Sequence, residues 1–226
     1  MGQAIGQSLG FAVGVAISPM PIVAVVLMLV SARAKANGLS FLLGWLLGLA
    51  IVGGIVLALA GPSDTTSDTA GPETWVSVLK LVLGLLLVLL AVRQWQGRPR
   101  DGVEATTPKW MSAIDTFTPV KAAGLGAFLS GLNPKNLLLT VAGATAIAQT
   151  QASGAEQVGA YVVFMIIATI GVAAPVVIYF ALGPKAPALL QKLKTWMSDN
   201  NAVIMGVLFL VFGAKLIGDA ISGFAS

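Results

Sequence analysis

The 226-residue sequence contains no cysteine and no histidine. The first absence excludes disulfides, thiol redox chemistry and thiolate metal sites. The second removes the commonest metal ligand and proton shuttle. Charge is also scarce: 10% of residues are Asp, Glu, Lys or Arg, where soluble domains carry about 25%. So few charges cannot cover a water-facing surface, and lipid must be the solvent for most of the chain. The net charge of +4 does not indicate nucleic acid, because the cations are divided among short connections between apolar runs. Carboxylate pairs are missing from the apolar runs, and Asp64 and Asp68 fall in a polar connection. No nucleotide-binding Gly-x-x-x-x-Gly-Lys-Ser/Thr loop occurs. An enzyme is therefore not expected, nor a metal or cofactor.

What is present is apolar length. About 20 apolar residues cross the hydrocarbon core, and six stretches qualify: 5–30, 39–60, 75–95, 120–148, 157–182 and 202–221. The first has no basic residues before it, so it reads as a retained helix rather than a signal peptide. The first, third and fifth connections are basic, holding Arg33 and Lys35, then Arg93, Arg98, Arg100, Lys109 and Lys121, then Lys185, Lys192 and Lys194. The second and fourth are acidic, with Asp64, Asp68, Glu73 and Glu156. Basic connections stay in the cytoplasm, which predicts both termini outside. Trp45, Trp75, Trp95, Trp110 and Trp196 mostly fall near the predicted interfaces, as an aromatic belt would.

The chain also resembles itself. Ala58-Leu59-Ala60-Gly61-Pro62 and Phe180-Ala181-Leu182-Gly183-Pro184 end the second and fifth stretches, 122 residues apart. At the same offset the run from Gly84 to Arg93 lies on that from Gly206 to Lys215. Ser18-Pro19 lies on Asn133-Pro134 at an offset of 115. Three spans per unit is an odd number, so the second unit must enter from the opposite side, as in the inverted repeats of many secondary transporters. The expected fold is an all-α integral membrane protein of six transmembrane helices. Its parts are a first three-helix repeat at 1–95, a cytoplasmic connection at 96–119 and a second, inverted repeat at 120–226.

Ser18-Pro19-Met20-Pro21 and Asn133-Pro134-Lys135-Asn136 interrupt the first and fourth stretches. Ser or Asn followed by Pro is a helix start, the polar residue capping and the proline opening the first turn. Inside a membrane span it implies a broken helix, with the second half starting near the midplane. Lys135 would then stand in a first turn, against the dipole and at membrane depth, where a cation is costly. The candidate substrate site is thus Ser18, Pro19, Pro21, Asn133, Pro134, Lys135 and Asn136, with Lys135 as counter-charge to an anion. The competing reading is a pair of proline-kinked helices with Lys135 snorkelling or bound to backbone carbonyls. Lys215 and Asp219, four residues apart, are expected to pair. Pro175 and Gly53 correspond in the repeat, and both permit bending or close packing.

In the third connection, residues 97–108 read as a tether. Beyond it Trp110, Met111, Ile114, Phe117 and Thr118 share one helical face, suggesting a short interfacial helix ended by Pro119. Asp115 and Lys121 flank the entry to the fourth stretch as an interfacial pair.

The proline-broken Ile17-Ser18-Pro19-Met20-Pro21, the basic turn after it and the spaced glycines between Leu39 and Gly48 form one half of a pattern. Trp110-Met111-Ser112-Ala113-Ile114-Asp115 and Gly131-Leu132-Asn133-Pro134-Lys135-Asn136 form the other. Together they resemble the GAP family, the glycopeptidolipid- and sulfolipid-addressing proteins of mycobacteria and other actinobacteria, within the wider superfamily of the lysine exporter LysE. The resemblance implies a role in moving a lipid or glycolipid to the cell envelope, from the plasma membrane. A sulfated or phosphorylated headgroup would suit the anion site. Trp110, Asp115, Phe117 and Lys121 would then border a lateral entrance. Two other readings stay open: a LysE-like exporter of a small polar solute such as an amino acid, and a non-transporting scaffold for a larger lipid-export machinery.

Overall fold

A computed structural model describes residues 1–59, 72–97, 116–150 and 152–224, and among these there is no strand. In lipid no water satisfies backbone N–H and C=O groups, so each segment must pair its own. The described helices are α1 (Gly2–Ala16), α2 (Pro19–Leu29), α3 (Ala34–Leu59), α4 (Pro72–Gln96), α5 (Pro119–Gly131), α6 (Pro134–Ala148), α7 (Gly154–Leu182), α8 (Ala186–Asp199) and α9 (Asn201–Phe224). A 3-10 turn, Gly183–Lys185, joins α7 to α8.

Four described stretches are long and apolar enough to cross a membrane: α3, the Ser77–Gln96 part of α4, the run through α7 and α8, and α9. The pair α1 and α2, bent by 51° at its break, makes a fifth. The chain is a multi-pass membrane protein. The stretch expected to be the fourth span is divided into α5 and α6, of 13 and 15 residues. Either one alone is shorter than the roughly 20 residues a crossing needs.

Small residues set the packing. Lipid tails are as apolar as Leu, so helices associate where backbones can approach closely. On α3, Leu43, Leu47, Ile51 and Ile55 point outward one per turn, while Phe41, Trp45 and Leu49 are buried with Gly44 and Gly48. A Cβ on Gly44 would land on the Ala123 carbonyl of α5, and one on Gly126 of α5 would land on the Phe41 carbonyl. Gly84 of α4 and Gly213 of α9 each face the other's backbone. Gly171 of α7 faces the Ala16 carbonyl at the end of α1. Thus α3 packs mainly on α5, α4 on α9, and α1 between α6 and α7.

Polar contacts tie the ends. The Asn37 side-chain amide, near the start of α3, donates to the Phe117 carbonyl just before α5 at 3.0 Å. At the start of α1, the Met1 ammonium lies 3.3 Å from Glu156 at the start of α7. The Lys215–Asp219 pair forms as expected, at 2.6 Å.

Three expectations need correction or refinement. Trp45 is not part of an aromatic belt: it is fully buried, because α5 approaches α3 through glycine and alanine and leaves its ring enclosed. The fifth connection is not a plain basic loop. Ala186, Leu190, Leu193 and Met197 recur with helical period, and the segment folds as α8 against α2 and α7. Gly53 makes room for the Tyr161 ring, whose hydroxyl donates to the Leu49 carbonyl. Pro175 is accommodated inside the continuous α7. The tether at 97–108 lies, after Gly97, outside the described residues, as do Trp110 and Asp115 of the interfacial segment, Asp64, Asp68 and the repeat landmark at 60–62.

Candidate functional site

Both breaks follow the local chemistry of their sequences. After α1 the backbone runs through Ile17 to Ser18, which is extended at φ −118° and ψ 99°, and Pro19 opens α2. After α5 it runs through Leu132 to Asn133, extended at φ −65° and ψ 122°, and Pro134 opens α6. Proline suits a first helical position because its missing N–H would be unpaired there anyway. The Asn133 side chain accepts the Lys135 backbone N–H at 3.1 Å, closing the cap of α6. Ser18 occupies the equivalent position but its hydroxyl caps nothing on its own helix. It turns instead to the other break.

Lys135 is 2% exposed, and its side chain leaves its own helix altogether. The ammonium donates to the Gly14 carbonyl at 2.6 Å and the Ile17 carbonyl at 2.8 Å. These are orphan acceptors at the C-terminal end of α1, where a helix carries partial negative charge. The unfavourable backbone position in the first turn of α6 is thereby answered by a favourable one for the charge, across the structure at the end of α1. An ammonium has three N–H donors, and the described residues engage two of them.

Asn136 completes the junction. Its amide donates to the Leu129 carbonyl in the last turn of α5 at 2.8 Å. Its oxygen accepts the Ser18 hydroxyl at 3.2 Å. Four consecutive residues, Asn133 to Asn136, therefore bind four half-helix ends. Asn133 and Pro134 start α6, Lys135 holds the end of α1, and Asn136 holds the end of α5 and the cap residue of α2. Pro19 and Pro21 are buried beside Ser18.

The junction itself is buried, and its rim reaches the surface. Ser18, Lys135 and Asn136 are all at most 3% exposed. Around them Ile17, Met20, Leu132 and Pro134 reach the outer surface, and Asn133 is half-buried between them. The Asn133 amide points toward the Met20 sulfur at 3.9 Å. The exposed rim of this polar cluster is therefore mostly apolar.

The predicted residues do not all converge. Ser18, Asn133, Lys135 and Asn136 meet with their prolines. Phe117, half-buried, and Lys121, exposed, sit at the start of α5, away from the junction. Backbone carbonyls are the partners that the competing reading of the sequence gave Lys135; the particular carbonyls, of Gly14 and Ile17, and the Leu129 partner of Asn136 have no residue-type signature. Sequence reasoning missed Thr140, fully buried one turn after Asn136, whose hydroxyl has no partner among the described residues. Its i+4 spacing from Asn136 was the available signal. No group of three or more metal-capable side chains occurs among the described residues.

No curated protein and no solved structure matches the chain. A family model does: the family described as Sap, sulfolipid-1-addressing protein, matches residues 9–222. That stretch includes both breaks and every residue of the junction. The chain belongs to the sulfolipid-1-addressing protein family.

Proposed function

We propose that this protein exports or flips a lipid or glycolipid with an anionic headgroup toward the cell envelope, and that the junction of helix ends recognises the headgroup. The carrying observation is Lys135: a buried ammonium bound only to neutral backbone carbonyls among the described residues, beside the polar side chains of Asn133, Asn136 and Ser18. The sulfolipid in the family's description has the matching charge. The apolar outer rim of Ile17, Met20 and Leu132 favours an amphiphile arriving sideways from lipid over a small solute in an enclosed pocket. In this reading the described state is the resting one. A sulfate or phosphate oxygen takes the third ammonium donor, then competes with the α1 carbonyls for the others. Phe117 and Lys121 border the lateral entrance at the cytoplasmic side.

The proposed architecture is six crossings in two inverted units, with α5 and α6 together as the fourth. The pairings support it: α1 lies on α7 as α5 lies on α3, and α4 lies on α9. These are the contacts a twofold axis in the membrane plane would relate. Six crossings put both termini on one side, and the basic connections holding Arg33, Arg93, Lys121 and Lys185, which stay in the cytoplasm, make that side the outside of the plasma membrane.

The test is the surface lipid profile of a deletion strain carrying wild type, Asn133→Ala or Lys135→Met, with protein levels matched. Loss of one anionic lipid from the surface, its accumulation inside and its return with wild type alone support export through the junction. Unchanged surface lipids would overturn this function and direct testing to small-solute efflux. If purified wild type fails to flip a sulfated glycolipid in proteoliposomes although the strain phenotype holds, a scaffold for larger export machinery replaces the transporter.

A further inference from the structure

The helix α8 was not anticipated by span counting, and its two faces ask for different surroundings. Ala186, Leu190 and Met197 are buried, with Leu193 half-buried between them. Met197 packs on Ile22 and Val23 in the first turns of α2. One residue earlier in register runs a second stripe, Lys185, Leu189, Lys192 and Trp196, at spacings of four, three and four. It is exposed throughout, with Leu189 46% and Trp196 57% accessible. Lys194 is half-buried on the opposite flank of the helix, half a turn away from this stripe, whereas Asp199 continues the stripe. None of the three lysines has an ion-pair partner among the described residues, and Asp199 is the one acidic residue of α8.

Neither bulk phase suits this stripe. Water would leave an indole and a leucine uncovered. Hydrocarbon would strand two ammonium groups at depth. The headgroup layer serves both, since lysines snorkel to the polar side while Trp and Leu enter the acyl boundary. Two unpaired cations against one carboxylate, Asp199 on the same face, leave a positive stripe that selects an anionic lipid. We infer that α8 is a docking site for anionic phospholipid headgroups of the bilayer, bound by Lys185 and Lys192 and anchored by Trp196 and Leu189. This does not depend on which lipid the protein moves. Because Met197 rests on α2 just beyond the Ser18-Pro19 break, a headgroup fixed on α8 also fixes the position of that half-helix.

The test uses the full chain in nanodiscs of phosphatidylcholine mixed with phosphatidylglycerol. Phosphatidylglycerol retained after gentle detergent extraction is counted by native mass spectrometry. Replacing Lys185 and Lys192 by Gln is expected to lower the preference for phosphatidylglycerol by roughly 5-fold per lysine, the effect of about 1 kcal/mol per juxtamembrane cation. Arg33→Gln with Lys35→Gln, exposed cations of another basic connection, serves as control and should change it far less. Equal retention by the double variant and wild type would overturn the inference. So would an equal loss in the control, which would mean a diffuse charge effect. In a second measurement, phosphatidylglycerol brominated near the headgroup quenches tryptophan emission, and the Trp196→Phe difference isolates one residue. Quenching of that component is expected, and its absence would overturn the anchoring of α8 in the headgroup layer.

Discussion

Replacing Lys135 by Met keeps the length of the side chain and removes its charge and donors. Two opposing effects follow. The Gly14 and Ile17 carbonyls lose hydrogen bonds to a charged group, worth about 1.5–3 kcal/mol each, so roughly 3–6 kcal/mol together. Relieving a cation at membrane depth returns about 2.5–3.5 kcal/mol. The midpoints of the two ranges, about 4.5 and about 3 kcal/mol, leave an expected net destabilisation of roughly 1–2 kcal/mol. Lys135→Glu should be far worse, because a carboxylate would face two carbonyl oxygens at the negative end of α1 with no donor between them. Reversible unfolding by a denaturing detergent in mixed micelles, followed by tryptophan fluorescence, reads both. A Met variant as stable as wild type would refute the reasoning, since the carbonyls would then not depend on the ammonium. A Glu variant that unfolds no more easily than the Met variant would show that the charge is not seated at the end of α1.

The Ser18–Asn136 bond predicts coupling: in a double-mutant cycle with Ser18→Ala and Asn136→Ala, the interaction energy should be about 1 kcal/mol, and additivity would argue against the bond. Gly44→Val should weaken the α3–α5 contact by at least about 2–3 kcal/mol, because the obstacle is the Ala123 backbone rather than a movable side chain, and a thermal shift in detergent would detect it. Thr140→Val should leave stability unchanged or raise it by up to about 1 kcal/mol, since the buried hydroxyl has no partner among the described residues. The same variant should lose export if that hydroxyl serves the anion, and normal lipid profiles would remove Thr140 from the site.

Much was legible because membranes constrain sequence strongly. Apolar length marked the helices, and the Ser-Pro and Asn-Pro steps marked both breaks within a residue or two. The break is legible because proline lacks an N–H and its predecessor avoids helical backbone, both local facts. The family resemblance, carried by the Asn-Pro-Lys-Asn step, is matched by the family model over 9–222. The helix α8 escaped notice because its 14 residues are too few for a span and its lysines resembled an ordinary cytoplasmic connection. Trp45 escaped because its burial depends on how close α5 comes, which Gly126 on a distant segment decides.

The sequence by itself therefore determined the solvent, the helical class, the broken segments and the polar residues at the breaks, all of which follow from local chemistry and composition. Tertiary structure alone decided what Lys135 does. A cation in the first turn of α6 could have faced a ligand or a carbonyl, and only the packing of α1 against α6 brings the Gly14 and Ile17 carbonyls to its ammonium. Backbone acceptors look the same in every sequence, so no pattern of residue types could have named them.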